Sequence, residues 1–461
     1  MKRVFIVVIS VAAFATGGCV SVDEDARAAI LALNSGNDAK AVAWGDELAD
    51  ESHYSRTLGA VESGRVHMLS GNYGFSETRF RAAVDSAVDR NESSPKIKVT
   101  DVANTVLAST ITDDRTRDYY LPPYELNLAL EYGIIVQVIN GRLDDALADA
   151  RLSVYVQDTL AETYGADVAK AESSADAQSR AILKKQNDML ESMIAETRNS
   201  WENPVLWWLS GLLFEADGQT DMAWQSYRKA AVIKPDNAVF VADAARADGA
   251  TTPAQGKAKL VVIYDQGFVP RRESLKIPIP IYTGFAIDIP KYDSSYIFNY
   301  DNVTVAGSSG AVSASRALDV RALAARDLKE QLPGIVVRNL TRAALQAGAQ
   351  AAANSAGNEY AQLAVFAGNL LVSSMRRADV RSWTTLPVAQ HVWCDAGMDP
   401  GVYDIEFSIN GLRTTARVPL ASGETRLLWV ANTKGTIRGA SATLGGKGAS
   451  ATDLNGKEIK K

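Results

Sequence analysis

One window of 34 residues constrains this chain more than any other. Within residues 203–236, Trp207, Gly211, Phe214, Gly218, Ala223, Tyr227, Ala230 and Pro235 recur at the intervals that two antiparallel helices need. Small Gly211 and Ala223 admit close approach, and Gly218 turns the chain. Trp207, Phe214 and Tyr227 fill the groove between the helices, and Pro235 ends the second one. A single pair of this kind cannot bury its own apolar face, so it predicts neighbours built alike. Weaker copies stand upstream. Gly64, Gly71-Asn72-Tyr73, Ser76, Phe80 and Ala83 keep the spacing, as do Leu130, Gly141, Ala146 and Ala150, and Gly36-Asn37-Asp38 hints at another pair. Pro122-Pro123-Tyr124-Glu125 predicts a helix start, and residues 161–199 a long polar helix.

The spacing is that of a tetratricopeptide repeat, with Ser210 where that pattern usually has Leu. The expected fold class is therefore multi-domain. An all-α, TPR-like helical-repeat half over residues 19–245 leads through a turn-rich linker at 246–257 into an α+β half. Leu260-Val261-Val262-Ile263-Tyr264 predicts a strand, and the alternation of Ile with Pro from Lys276 to Ile281 an edge strand or extended arm. Val320, Leu323, Ala324, Leu328 and Leu332 mark one helical face, with Pro333-Gly334 as its stop. Residues 343–375 carry Glu359 as their one charge and are rich in Ala, Gly and Asn. A membrane hairpin would need about 20 apolar residues per span. Each side of Glu359 offers fewer, so two tightly packed soluble helices close a domain spanning 258–395. Tyr403, Ile405, Phe407 and Ile409 alternate with polar residues up to the hairpin signal Asn410-Gly411. They open a small antiparallel β-sandwich-like module over 396–444, and residues 445–461 read as a flexible tail.

The N-terminus sets the compartment. Lys2 and Arg3 precede an apolar run from Val4 to Ala15, which narrows to Thr16-Gly17-Gly18-Cys19. Residues 1–18 have the length and flanks of a signal peptide, and Cys19 sits where a lipobox places the acylated thiol. The alternative is plain cleavage after Ala13-Phe14-Ala15. By the enterobacterial sorting rule, Val20 after the Cys directs the chain to the outer membrane, anchored on its periplasmic face. The net charge of -6, made more negative by loss of Lys2 and Arg3, leaves no electrostatic footprint for nucleic acid. Once Cys19 is acylated, Cys394 is the remaining thiol and no intrachain disulfide forms.

No catalytic motif emerges. Of three histidines, His53, His67 and His391, none stands in a zinc spacing, and His391 with Cys394 falls short of about four ligands. There is no nucleophile elbow, phosphate loop or dinucleotide fingerprint, so no catalytic residue, metal or cofactor is expected. A carboxylate pair of the glycosidase kind has no distinguishing signal here. The most distinctive polar stretch is residues 377–387. Arg377, Asp379, Arg381 and Trp383 read either as a ligand-contacting surface or as structure, with Asp379 paired to Arg338, Arg342 or Arg381 and Trp383 in an interdomain core. Trp208 and Trp224 are the aromatic candidates for a binding surface on the repeats.

At Pro123-Tyr124-Glu125, Gly267-Phe268-Val269-Pro270, Leu332-Pro333, Arg338, Arg342 and residues 377–387 the chain resembles a family of uncharacterised bacterial outer-membrane lipoproteins with N-terminal tetratricopeptide-like helices. It departs from that family at Asp265, where Glu is usual, and in a longer, Gly-rich tail. The resemblance implies no activity. Members are often encoded beside a lipoprotein activator of penicillin-binding proteins, which implies a cell-envelope role by association alone. The reading that results is a lipid-anchored scaffold or adaptor with a protein or peptide partner in the helical groove, with homo-oligomerisation left open. The rival readings are an envelope glycan-acting enzyme and a membrane-active or secretion-apparatus subunit.

Overall fold

The computed structural model describes residues 22–51, 55–89, 95–99, 117–194, 197–246, 252–279, 286–292, 299–307, 310–355, 377–410, 412–445 and 450–460. Cys19 with the leader, residues 356–375 of the small-residue segment and part of the 246–257 linker lie outside them.

The N-terminal half is helical. Helices α1 (Val22–Asn34) and α2 (Asp38–Glu51), α3 (Arg56–Leu69) and α4 (Tyr73–Ala87), α5 (Pro123–Ile139) and α6 (Leu143–Ser173), and α8 (Pro204–Ala216) and α9 (Thr220–Ile233) form four joined pairs. Between α6 and α8 runs α7 (Ala177–Ile194), and a short α10 (Ala238–Ala244) follows α9. The expected long polar helix is thus divided between α6 and α7. All four joints are built alike. Gly36, Gly71, Gly141 and Gly218 take φ of +77°, +78°, +71° and +78°, a left-handed conformation that costs glycine little. The amide after each glycine reaches back to a carbonyl five residues earlier: Asn37 to Ala32, Asn72 to His67, Arg142 to Gln137, Gln219 to Phe214. This double turn satisfies carbonyls that a helix end leaves without partners.

Packing within pairs also repeats. A Cβ on Gly64 would lie 2.9 Å from the ring of Phe80, and one on Gly211 2.7 Å from that of Tyr227. Each aromatic ring therefore occupies the space a side chain would need. Ser210, the departure from the repeat pattern, shares a 2.9 Å hydrogen bond with Ser153 and so ties α8 to α6.

A short hairpin of β1 (Val88–Asp89) and β2 (Lys96–Ile97) interrupts the helices. The C-terminal half then lays down β3 (Ala258–Gln266), β4 (Glu273–Pro278), β5 (Ala286–Lys291), β6 (Val303–Gly307), β7 (Gly310–Ser313) and β8 (Ser315–Asp319). After α11 (Val320–Ser355) come β9 (Ala389–Met398), β10 (Gly401–Ile409), β11 (Leu412–Leu420), β12 (Thr425–Asn432), β13 (Ile437–Gly445) and β14 (Ala451–Asp453). A six-stranded sheet has the order β14-β13-β12-β3-β9-β8, a four-stranded one β11-β10-β6-β7, and β4 pairs with β5 alone. In the large sheet β3 and β12 run parallel, with Ile263 opposite Trp429.

Alternation along β3 sorts its residues between two cores. Leu260, Val262 and Tyr264 face Val305, Phe407 and Val418 of the four-stranded sheet. Val261 and Ile263, with Leu427 and Trp429 of β12, join the core of the helices. Both faces are covered, which is why β3 reads as a continuous apolar run. The result is three layers: helices, six strands, four strands. Strand β13 crosses helix ends. Arg438 donates to the C-terminal carbonyls of α1 and α3, Leu33 O and Leu69 O at 2.9 Å each, where a cation meets the negative end of the helix dipole.

Four expectations need correction. Pro333 does not stop its helix; α11 runs through it to Ser355, because Leu328, Leu332 and Val336 continue one buried stripe on both sides. That burial outweighs the roughly 3 kcal/mol cost of an interior proline. In consequence the first part of the segment read as a helix pair belongs to this one long helix. The residues expected to form a self-contained β module divide instead, β10 pairing with β6 and carrying β11 on its other edge, β12 pairing with β3 and carrying β13, and the sandwich is not purely antiparallel. The tail is no free end: β14 pairs with β13, and Leu454 O accepts from the Arg417 amide.

Candidate functional site

The 377–387 segment runs between the helical layer and the sheet, held by two buried glutamates. Glu62, on α3, accepts from the amide and hydroxyl of Thr384 at 2.6 and 2.7 Å and from those of Thr385 at 3.2 and 2.5 Å. Glu125, on α5, accepts from the Trp383 amide at 2.9 Å and from the hydroxyls of Tyr119 and Tyr124 at 2.6 and 2.9 Å. Trp383 is fully buried against Phe80 and Tyr132. Burial pushes the Glu62 carboxyl up to about 7, against the downward pull of its threonine donors. Neighbouring Glu131, which accepts from Asn203 and Gln390, is pushed to about 8 by burial.

Beside them Arg65 and Asp265 form a buried ion pair at 2.7 Å. Asp265 also accepts from Tyr132, Trp429 and Gln390, so every oxygen of this desolvated carboxylate is engaged. These groups are sealed inside the molecule. They form a buried clasp joining α3 and α5 to the 377–387 segment and the sheet. The helices share this buried core with the chain's own strands β3 and β12.

At its start the segment meets a cleft of about 780 Å³. One wall is α11, contributing Gln331, Ile335, Arg338 and Arg342 at helical spacing; the facing wall is α6, with Thr159, Thr163 and Asp167. Lys96, Ile97, Lys98 and Val99 enter from the β1–β2 hairpin, and Ala286, Ile287 and Asp288 from β5. Arg272, paired with buried Asp327 at 2.8 Å and with its Nε on the Tyr292 hydroxyl, lies at the base. Arg381 makes a two-point contact with Asp379 through Nε and Nη2, at 2.8 and 2.7 Å, while its Nη1 donates to the Arg117 carbonyl at 3.1 Å.

Charge in this cleft opposes that of the chain. Its lining holds eight Lys and Arg residues against four Asp, although the whole chain carries a net charge of -6. That count includes the Arg272 of the Arg272–Asp327 pair and both members of the Arg381–Asp379 pair. Arg338 and Arg342 are more than nine-tenths buried in its wall, where low local dielectric strengthens attraction for an anion.

The structure brings together Arg377, Asp379 and Arg381 of the sequence candidates, joined by Arg338 and Arg342. Trp383 lies in the core instead. Trp208 is also fully buried, donating its indole N–H to Asp243 at 2.7 Å, and Trp224 sits half-buried on α9 beneath Arg228. Lys96, Lys98, Arg117 and Arg272 have no local signal that singles them out, since they converge from separate stretches of chain. Among the described residues no group of three or more His, Cys, Asp or Glu could hold a metal ion, and no helix is long and apolar enough to cross a membrane. His391, on β9, is buried against the ring of Tyr264, and burial pulls it down to about 4. Comparison of the chain with protein-family models, with curated proteins and with solved structures gave no match in any of the three.

Proposed function

We propose that this chain is a non-catalytic binding protein, an adaptor of the cell envelope that receives an anionic ligand in the cleft between α6 and α11. The observation that carries the reading is the excess of cations in that cleft within an acidic chain. A concavity of several hundred Å³ with apolar walls and a few placed charges suits a ligand.

In this reading the helical half is a TPR-like array. The four equivalent glycine joints and the repeated Gly64–Phe80 and Gly211–Tyr227 contacts support it. The sheet then fills the groove that such an array would offer, and recognition moves to the cleft at its edge. Acylated Cys19 would hold the protein on the periplasmic face of the outer membrane, which the leader and its small residues before Cys19 support. A role in cell-envelope assembly or its regulation follows the resemblance noted above.

A photoreactive side chain at Lys98, on the cleft, tests the reading against the same group at Val402, exposed on the outer sheet. In intact cells a crosslinked product specific to position 98 is expected. Equal labelling at both positions, or none at position 98, overturns it. Intact mass and membrane fractionation of wild type beside Cys19→Ala test the anchor: acyl mass and membrane association are expected in the wild type alone.

A further inference from the structure

We infer that the ligand of the cleft is an acidic peptide segment carrying apolar side chains, an inference that rests on the binding reading above. Three features of the cleft narrow the chemistry. First, its cations are mostly arginines, whose planar, weakly hydrated guanidinium matches carboxylates and phosphates at two points and tolerates partial burial better than an ammonium. Second, those on α11 are recessed: Arg338 and Arg342 are 7% and 5% exposed. A flat bilayer surface does not reach groups at that depth, whereas a single chain threaded along the cleft does.

Third, the walls between the cations are apolar. Ile97, Val99, Tyr119, Ile287 and Ile335 line the same space. A free inorganic anion would leave that surface wet and would gain nothing from it, at roughly 25 cal/mol per Å² of apolar area. A peptide with alternating acidic and apolar residues satisfies both kinds of wall. Nucleic acid is disfavoured by the negative charge of the rest of the molecule.

The test uses fluorescence anisotropy on the purified full protein at low salt, with four probes. These are a labelled random copolymer of glutamate and tyrosine, labelled polyglutamate, inorganic phosphate as competitor, and vesicles of phosphatidylglycerol. The copolymer is expected to bind more tightly than polyglutamate and to lose affinity as salt rises. Lys98 and Arg377 are exposed on the cleft, so Lys98→Glu with Arg377→Glu leaves the core intact. Reversing two exposed charges should weaken the copolymer about tenfold or more, with an unchanged melting temperature. Copolymer binding indifferent to the double substitution overturns the inference. If phosphate or vesicles bind, respond to the substitution and the copolymer does not, the cleft remains a ligand site but the peptide class is wrong. If no probe responds to the substitution, the inference and the binding reading fall together.

Discussion

Replacing Glu62 by glutamine isolates the clasp between α3 and the 377–387 segment. The carboxyl is fully buried, and its pKa of about 7 lies well above the ordinary 4.5. A raised carboxyl stabilises the fold fully at pH below its unfolded value, and that contribution is lost as pH climbs through the folded value. Between pH 4.5 and 7 the unfolded chain releases this proton while the folded protein still holds it. At about 1.36 kcal/mol per unit, the wild type should lose roughly 3 kcal/mol on this group's account. Glu62→Gln does not titrate. At pH 5 the protonated acid and the amide are near-isosteres, and the amide, with an NH2 facing threonine donors, should cost about 1 kcal/mol. By pH 8.5 the difference should shift by roughly 3 kcal/mol in the variant's favour, closing or reversing the gap. Glu131, Glu330 and His391 titrate in both proteins and cancel in the comparison. Urea midpoints followed by tryptophan fluorescence at the two pH values measure it. A wild-type–variant gap that stays the same at both pH values would refute the reasoning: the four threonine hydrogen bonds would then have kept Glu62 ionised throughout.

Other perturbations probe the same architecture. Arg65→Met should destabilise by about 3–5 kcal/mol, because it strands the buried carboxylate of Asp265; adding Asp265→Asn should restore part of the loss, and a double-mutant cycle in urea checks the coupling. Gly59→Ala would put a Cβ 2.5 Å from the backbone of Ala49, which cannot yield as a side chain can, so a loss of about 3 kcal/mol or more is expected in thermal melts. Gly74→Ala, on α4 with open space around it, should instead stabilise by up to about 1 kcal/mol in the same assay. Trp208→Phe removes the donor to Asp243 and should cost about 1–3 kcal/mol while leaving the response of the cleft to its probes unchanged.

The helical joints were legible because their causes are local. Gly36, Gly71, Gly141 and Gly218 each turn the chain within a few residues, and the aromatic and small residues around them pair at fixed helical distances. Strands β10, β11 and β12 were legible for the same reason, since a period of two shows which face is apolar, and β3 as a short apolar run, whereas β6 to β9 carried no comparable signal. Periodicity says nothing about which strand lies next to which, so β10 and β11 could not be assigned to a different sheet from β12 and β13 before the fold was known.

The site lay further from reach. Of its cations, Arg338, Arg342, Arg377 and Arg381 drew notice in the sequence, whereas Lys96, Lys98, Arg117 and Arg272 each look there like an ordinary charge on a solvated surface. Residues 377–387 stood out as a polar segment, but the surface and structural meanings of its side chains separate only in three dimensions. There Arg377 opens on the cleft and Trp383 enters the core. Local chemistry thus determined where helices start and turn and which strand faces are apolar. Tertiary structure alone decided that Glu62 meets Thr384 across 322 residues and Arg65 meets Asp265 across 200. A hydrogen bond or ion pair needs proximity and desolvation, and neither leaves a trace in the order of residues along a chain.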